Sequence, residues 1–380
     1  MSMYVGETPD EHLLRELVEI PSLSGAERPA AEYLVARMRE RGMRVSIDEA
    51  GNAVGEVGGP DASGRCTDIV LLGHMDTVPG DIPVRREGDV LHGRGSVDAK
   101  GPLAAFVCAA TGLDLPAGVR VIVIGATEEE TATSRGARHA AATYRPAACI
   151  IGEPSHWDGV TLGYKGRLLV EYRAEQPSGH TARPVASVAD ECCAWWENVR
   201  REAEAMRGGE RVFDRVQATL RRIQTRSDGL TDVVEAQAGF RLPPGVLPED
   251  VEAICRRYAP ASAVLTCSGA EVAYVADRGN VVVRSLTGAI RGGGGSPTLR
   301  VKTGTADLNV VGPVWGPLGC QFAAYGPGDS HLDHTPEEWI SLAEYARSIT
   351  VLRRAIAVIA AELAAGRAGV TAAAGAAGQS

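Results

Sequence analysis

Several things are scarce in this 380-residue chain. None of its eight cysteines forms a CxxC pair, and Cys192 and Cys193 are adjacent, too close to bridge each other readily. Without paired spacing, and in a chain this long, the thiols read as free side chains in a reducing compartment and not as a disulfide framework. No run of Lys and Arg is long enough to track a phosphate backbone, and the net charge is −9, so nucleic acid is excluded as a first partner. No apolar stretch reaches the roughly 18 residues of a membrane span. The start, MSMYVGETPDEHLLREL, carries acids where a secretory leader has basic residues and then an apolar run. The expectation is a cytoplasmic protein with no membrane and no nucleic-acid partner. Aromatics are only 5%, but 44% of residues are apolar, enough for a sizeable core, and the length suits two domains.

Local signals lay out those domains. Thr8-Pro9-Asp10-Glu11 reads as a capped helix start, and Ser24-Gly25-Ala26-Glu27 repeats the signal before a second helix ending near Gly42. Apolar segments Arg44–Ile47, Asp68–Leu72, Arg120–Ile124 and Cys149–Ile151 then alternate with helical segments Pro102–Gly112 and Ser134–Tyr144. This is the pattern of an α/β sheet with helices on its faces. The pattern changes after Leu162. Strands at Leu168–Ala174, Ala236–Leu242 and Ala263–Thr266 and helices at Ser187–Arg207 and Pro248–Tyr258 make a block of α+β character. From Leu162 to Ala270 basic and acidic residues balance at 15 each, so the rest of the chain carries the whole −9. The expected organisation is a catalytic domain of residues 1–161 and 277–365 with an inserted domain of residues 162–276. Gly292–Gly295 reads as a turn, Pro336–Ala361 as a long helix, and 366–380 as a disordered tail. No internal repeat is visible.

Chemistry gathers at strand ends. Strand Ile69–Leu72 runs into Gly73-His74-Met75-Asp76, and Gly93-Arg94-Gly95-Ser96-Val97-Asp98 follows about twenty residues later. Strand Val121–Ile124 ends in Thr127-Glu128-Glu129-Glu130, and Cys149–Ile151 ends in Gly152-Glu153-Pro154. Ligands of open α/β sheets collect at the carboxyl ends of strands, so these motifs should converge. Each alone means little: a lone His-x-Asp is ordinarily a solvated pair, and three glutamates after a strand ordinarily start a helix. Together they offer imidazole nitrogen and carboxylate oxygen without thiolate, a set suited to Zn²⁺ or a similar divalent ion. Adjacent glutamates can divide the labour, one binding metal while its neighbour takes a proton from water.

The order GHMDT, GRGSVDAKGP, EEE, GEPS, SGH and GPGDSHLDHTPEE resembles the M20 family of co-catalytic zinc peptidases and deacylases. The resemblance covers nearly the whole chain. Within the family, GRGSVDAKGPLAA, GEPSHWDGVTLGYKGRL and KTGTADLNV are similar to the LysK-type branch. Those enzymes release lysine or ornithine from a small acidic amino-group carrier protein in amino-acid biosynthesis. The resemblance implies a zinc-peptidase-like α/β domain, its mixed sheet flanked by helices, with an inserted α+β lid through which the chain forms a homodimer. It implies two Zn²⁺ per subunit, with Co²⁺ able to substitute. His74 and Glu153 would serve one metal, His334 the other, Asp98 both, and Glu130 would be a further ligand. Asp76 would orient the site, Glu129 would be the base, and His180 would steady the oxyanion from across the dimer. Arg241, Gly304 and Thr305 would hold the substrate carboxylate. The register of the glutamates stays open, Glu128 and Glu129 being the alternative to Glu129 and Glu130. His331 departs from the ligand pattern, and Arg284 is as well explained by a structural ion pair. A deacylase of small N-acyl amino acids, a dipeptidase, or a catalytically silent binder are the other readings the same motifs permit.

Overall fold

Thr8 caps the first helix, Pro9–Glu19, reciprocally with Glu11: the Glu11 N–H donates to Thr8 Oγ1 at 3.2 Å and the Thr8 N–H to Glu11 Oε2 at 2.8 Å. In the computed structural model, which describes residues 6–180, 182 and 184–377, the chain divides into two units. One comprises the chain up to Gly163 with Ala276–Arg300 and the stretch from Ala306; the other is Tyr164–Val275 with Val301–Thr305.

The first unit is built on a mixed sheet ordered Arg44–Ile47, Ala53–Gly58, Val119–Ala126, Thr67–His74, Ala148–Gly152, Gln321–Ala324 and Gly159–Tyr164. Thr67–His74 runs parallel to both its neighbours, with Gly73 opposite Gly125 on one side and Gly152 on the other. This register places the carboxyl ends of three strands side by side. It also brings His74, Thr127 and Glu153 to one edge of the sheet. Helix Lys100–Ala110 is buried at every residue, which its composition allows, because Leu103, Phe106 and Val107 alternate with alanines small enough for close packing. Gly101 has no room for a side chain: a Cβ there would lie 2.3 Å from the Ser96 carbonyl oxygen.

The second unit is an antiparallel sheet ordered Gln217–Ser227, Thr231–Leu242, Gly166–Pro177 and Ala263–Glu271. Leu168, Val170, Tyr172 and Ala174 alternate inward along its central strand. They form one core with residues of helices Val188–Ala205 and Pro248–Tyr258. Tyr172 and Trp195 meet at 4.7 Å between ring centroids, and the Trp195 indole donates to the Cys255 carbonyl at 2.9 Å. No disulfide joins any of the eight cysteines, all of which lie among the described residues.

Some local readings change. Ser24 does not cap the second helix, Arg28–Glu40; its hydroxyl is drawn instead to Asp76, 2.7 Å away. The long helix begins at Leu342, not at Pro336, because Trp339–Ser341 pairs as a strand with Val90–His92. That helix continues to Ala377, through the Gly- and Ala-rich stretch that composition marks as a tail; alanine is the best helix former. Residues 378–380 lie outside the described residues. Among the described residues no helix is long and apolar enough to cross a membrane.

Candidate metal centre and carboxylate site

In the first unit, three of the expected ligands, His74, Glu130 and His334, meet around the fourth, Asp98. One of its oxygens lies 3.2 Å from Nε2 of His74, and the other lies 3.0 Å from Nε2 of His334. Nε2 of His334 is also 3.0 Å from Glu130 Oε1. Two overlapping sets of donor atoms result, His74 with Glu129 and Glu130, and Asp98 with Glu130 and His334, each within 4.8 Å. A carboxylate turned with one oxygen to each imidazole is the geometry of a ligand shared by two ions. Glu153, buried at the end of strand Ala148–Gly152, belongs to neither set, although its charge acts on Glu129.

Asp76 organises the turn. It is fully buried, its side chain approaches Nδ1 of His74 at 3.4 Å, and its main-chain carbonyl lies 3.0 Å from the same nitrogen. Its two oxygens accept the backbone N–H groups of Glu129 and Glu130 at 3.1 and 3.0 Å. The chain reaches this position because Glu128 adopts φ 59°, a left-handed conformation uncommon outside glycine. Thr127 is meanwhile pinned by its own hydroxyl to the Ala50 carbonyl and by its N–H to Asn52. The Glu128 side chain turns away, accepting from Thr133 at 2.6 Å and lying 3.8 Å from Arg135. Glu129 and Glu130, not Glu128, therefore face the imidazoles. His334 also has positive φ, 61°.

The electrostatics of these groups follow from their burial and from one another. Burial opposes the charge of His74, but hydrogen bonds to Asp76 and Asp98 outweigh it and hold the imidazole well above its ordinary range. Hydrogen bonds to Asp98 and Glu130 push His334 up to about 11. Burial would raise Asp98, yet its hydrogen bonds to His334 and His74 carry it far below the usual carboxylate range. Burial drives Glu129 well above its ordinary value against the pull of His74, with Glu130, Glu153 and Asp307 adding repulsion. Burial also raises Glu130, against the hydrogen bond from His334. Buried carboxylates thus outnumber the imidazoles. Carboxylates packed in this way are relieved either by taking up protons, as raised Glu129 and Glu130 do, or by binding cations, and nitrogen and oxygen donors without sulfur fit Zn²⁺ or a similar divalent ion.

Ser24 and Asp307 belong to this neighbourhood and were not singled out from sequence. Ser24 is separated from the motifs by some fifty residues and carries no signal of its own. Asp307 stands in the KTGTADLN segment, where only Gly304 and Thr305 drew attention; it is almost fully buried. His331 points at Asp329, 2.8 Å away, and is largely exposed; Arg284 pairs with Glu362 at 2.9 Å.

The second unit holds the remaining candidates. Arg241 Nη1 donates to the Thr305 hydroxyl at 2.5 Å, and that hydroxyl donates to the Lys165 carbonyl at 3.4 Å. Gly304 is half-buried, with nothing within 4 Å of where a Cβ would stand. Lys165 is fully buried, its ammonium donating to the Arg215 carbonyl at 2.6 Å and to Gln217 at 2.8 Å. Burial and then the positive charge of Arg241 lower it to about 8. Lys165 thus lies beside the Arg241–Thr305 pair, with its ammonium turned to Arg215 and Gln217. His180 lies exposed on the loop after strand Gly166–Pro177, its Nδ1 accepting from the Ala182 N–H at 3.1 Å. Thr181, beside it in the SGHT motif, lies outside the described residues.

The sequence model of Peptidase family M20/M25/M40 matches residues 70–358. A [LysW]-lysine hydrolase of Deinococcus radiodurans is 50% identical over 361 residues, covering 92% of this chain and 98% of that protein. A [LysW]-lysine/[LysW]-ornithine hydrolase of Saccharolobus islandicus is 27% identical, covering 88% and 91%. Among solved structures, the M20 family metallo-carboxypeptidase Sso-CP2 of Sulfolobus solfataricus shares the fold. Its TM-score is 0.74 at 17% identity, over 93% of this chain and all of that one.

Proposed function

The chain belongs to peptidase family M20/M25/M40, and from that premise we propose that it is a two-zinc amide hydrolase acting on a carrier-bound amino acid. The bond cut joins the α-amino group of lysine, ornithine or a related amino acid to the terminal glutamyl γ-carboxyl of a small acidic carrier protein. The carrying observation is Asp98, with one oxygen turned to His74 and the other to His334. The half-identical Deinococcus relative supports the choice of carrier substrate.

His74, Asp98, Glu130, Glu153 and His334 would hold two Zn²⁺ ions, which when bound would polarise the scissile carbonyl and acidify a water between them. Glu129 takes the proton from the attacking water and returns it to the departing amine. Asp76 keeps Glu129 and Glu130 in register through their N–H groups and fixes the His74 ring. Arg241, with Thr305, Gly304 and Lys165, receives the α-carboxylate of the released amino acid. His180 steadies the oxyanion, working across a homodimer formed through the second unit. Its loop lies in a different unit from every proposed metal ligand, which supports that assignment. The exposed edge strand Gln217–Ser227 offers a surface for such pairing.

The test is to incubate a carrier–lysine conjugate with the zinc-loaded protein and follow the carrier's mass. Loss of one lysine with release of the free amino acid is expected. An unchanged conjugate under conditions where the protein binds zinc would overturn the proposal.

A further inference from the structure

Beyond the proposed ligands, the buried carboxylate of Glu338 has no part in the reaction, yet it accepts four hydrogen bonds. It is fully buried. Its Oε2 accepts from Arg94 Nη1 at 2.9 Å and from the Gly95 N–H at 3.1 Å. Its Oε1 accepts from the Val97 N–H at 2.8 Å and from the Asp98 N–H at 3.1 Å. Three of four donors are thus backbone groups of one short loop, and the last belongs to Asp98 itself.

Within itself that loop is closed by the Ser96 N–H donating to the Gly93 carbonyl at 3.1 Å and the Lys100 N–H to the Gly95 carbonyl at 2.9 Å. Residues 93–99 lie between strand Val90–His92 and helix Lys100–Ala110 and form neither helix nor strand. Gly95 has φ 83°, and a Cβ there would stand 2.7 Å from Thr77 Cγ2, so the backbone is confined from outside as well. Asp98 must nevertheless aim one oxygen at His74 and the other at His334, a requirement that tolerates little displacement. Hydrogen bonds from N–H groups to an ionised acceptor are about twice as strong as neutral ones, and four of them occupy the acceptor capacity of both oxygens. Glu338 is itself held from behind. The Gly93 N–H donates to its carbonyl at 3.2 Å, and the next residues pair as strand Trp339–Ser341 with Val90–His92. The chain therefore gives up the helix expected from Pro336 onward in order to insert this carboxylate under the Asp98 loop.

We propose that Glu338 is a positioning residue that presents Asp98 to both metal ions, with Arg94 as its counter-charge. The proposal rests on the reading of Asp98 as the shared ligand. Replacing Glu338 by Gln keeps the shape but sets an NH₂ group against N–H donors, so the loop loses at least one pair of its contacts. Arg94→Gln removes only the side-chain donor and leaves all three backbone bonds. A carboxylate that merely stabilised the fold would lower the melting temperature in both variants without changing the metal affinity of the folded protein.

The experiment measures Zn²⁺ dissociation constants of metal-stripped protein by competition with a chromophoric chelator, alongside thermal melting and kcat and KM at saturating Zn²⁺. Glu338→Gln is expected to bind Zn²⁺ about 10–100-fold more weakly, the range typical of groups that orient ligands. Its kcat should fall with KM little changed, Glu338→Asp should be intermediate, and Arg94→Gln should lose much less affinity. Folded Glu338→Gln with the affinity of the unaltered protein overturns the proposal. If that variant yields no folded protein, Glu338→Asp decides in its place, weaker binding supporting and unchanged binding overturning. Should the unaltered protein bind no Zn²⁺, the reading of the centre itself fails and this inference with it. Undiminished binding in the variants alone defeats only the role of Glu338.

Discussion

Oδ2 of Asp98 lies 3.0 Å from Nε2 of His334, and the metal centre follows from that approach. Asp98 comes from the loop before helix Lys100–Ala110, while His334 comes from the segment before strand Trp339–Ser341. Chelation should therefore abolish activity, and Zn²⁺ or Co²⁺ should restore it. Asp98→Asn should lose both ions, whereas His334→Ala should lose one. Metal analysis finding two ions retained in Asp98→Asn would contradict the shared-ligand reading.

The two glutamates after Glu128 should separate cleanly. Glu129→Gln is expected to keep its metal and lose roughly 10²–10⁴ in turnover, the usual contribution of a general base. Glu130→Gln should lose an ion. Glu128→Gln should stay close to the unaltered protein in both respects, because its side chain turns to Thr133 and Arg135. A Glu128→Gln variant with the losses expected of Glu129→Gln would move the register by one.

Substrate binding should weaken with alkalinity. Lys165, lowered to about 8 by burial and Arg241, is an ammonium below that pH and a neutral amine above it. If Lys165 assists Arg241 at the substrate carboxylate as proposed, that carboxylate meets two cations below pH 8 and one above it. KM should rise as pH passes through about 8, and the rise should vanish in Lys165→Met. For stability the sign is opposite. The folded-state value lies below the ordinary 10.5, so the burden of a buried charge is present below pH 8 and is relieved as pH climbs toward 10.5. A KM flat from pH 7 to 9.5 would remove Lys165 from the site.

Much of this arrangement could be read from the chain, for identifiable reasons. Strands such as Thr67–His74 are apolar runs buried on both faces, and the motifs sit where those runs stop, so parallel pairing alone brings His74, Thr127 and Glu153 to one edge. Gln217–Ser227 was not legible: it is a largely exposed edge strand with three arginines and no apolar alternation. The helix expected from Pro336 fails because Trp339–Ser341 has a partner strand distant in sequence, which no local propensity records. Lys165, Ser24 and Asp307 were missed for the same reason. Lys165 and Asp307 stand inside quoted motifs, but their burial and partners are created by tertiary contacts that those motifs do not record.

Cross-subunit action of His180 has a direct test. His180→Ala and Glu129→Gln homodimers should each be nearly inactive. Mixing them should restore a fraction of activity, since one site of a mixed dimer would pair an intact Glu129 with the partner's His180. Mixed dimers that demonstrably form yet remain as inactive as their parents would place His180 within its own chain's reaction or outside it.

The central claim is that the substrate amide is carried on a protein. A side-by-side determination of kcat/KM for a carrier–lysine conjugate, N-acetyl-lysine and N-acetyl-ornithine, with the same zinc-loaded preparation, tests it most directly. The carrier conjugate is expected to exceed both small amides by at least about two orders of magnitude, a difference of roughly 2.7 kcal/mol in transition-state stabilisation. Equal or faster turnover of the acetylated amino acids would contradict the account and make the chain a small-molecule deacylase.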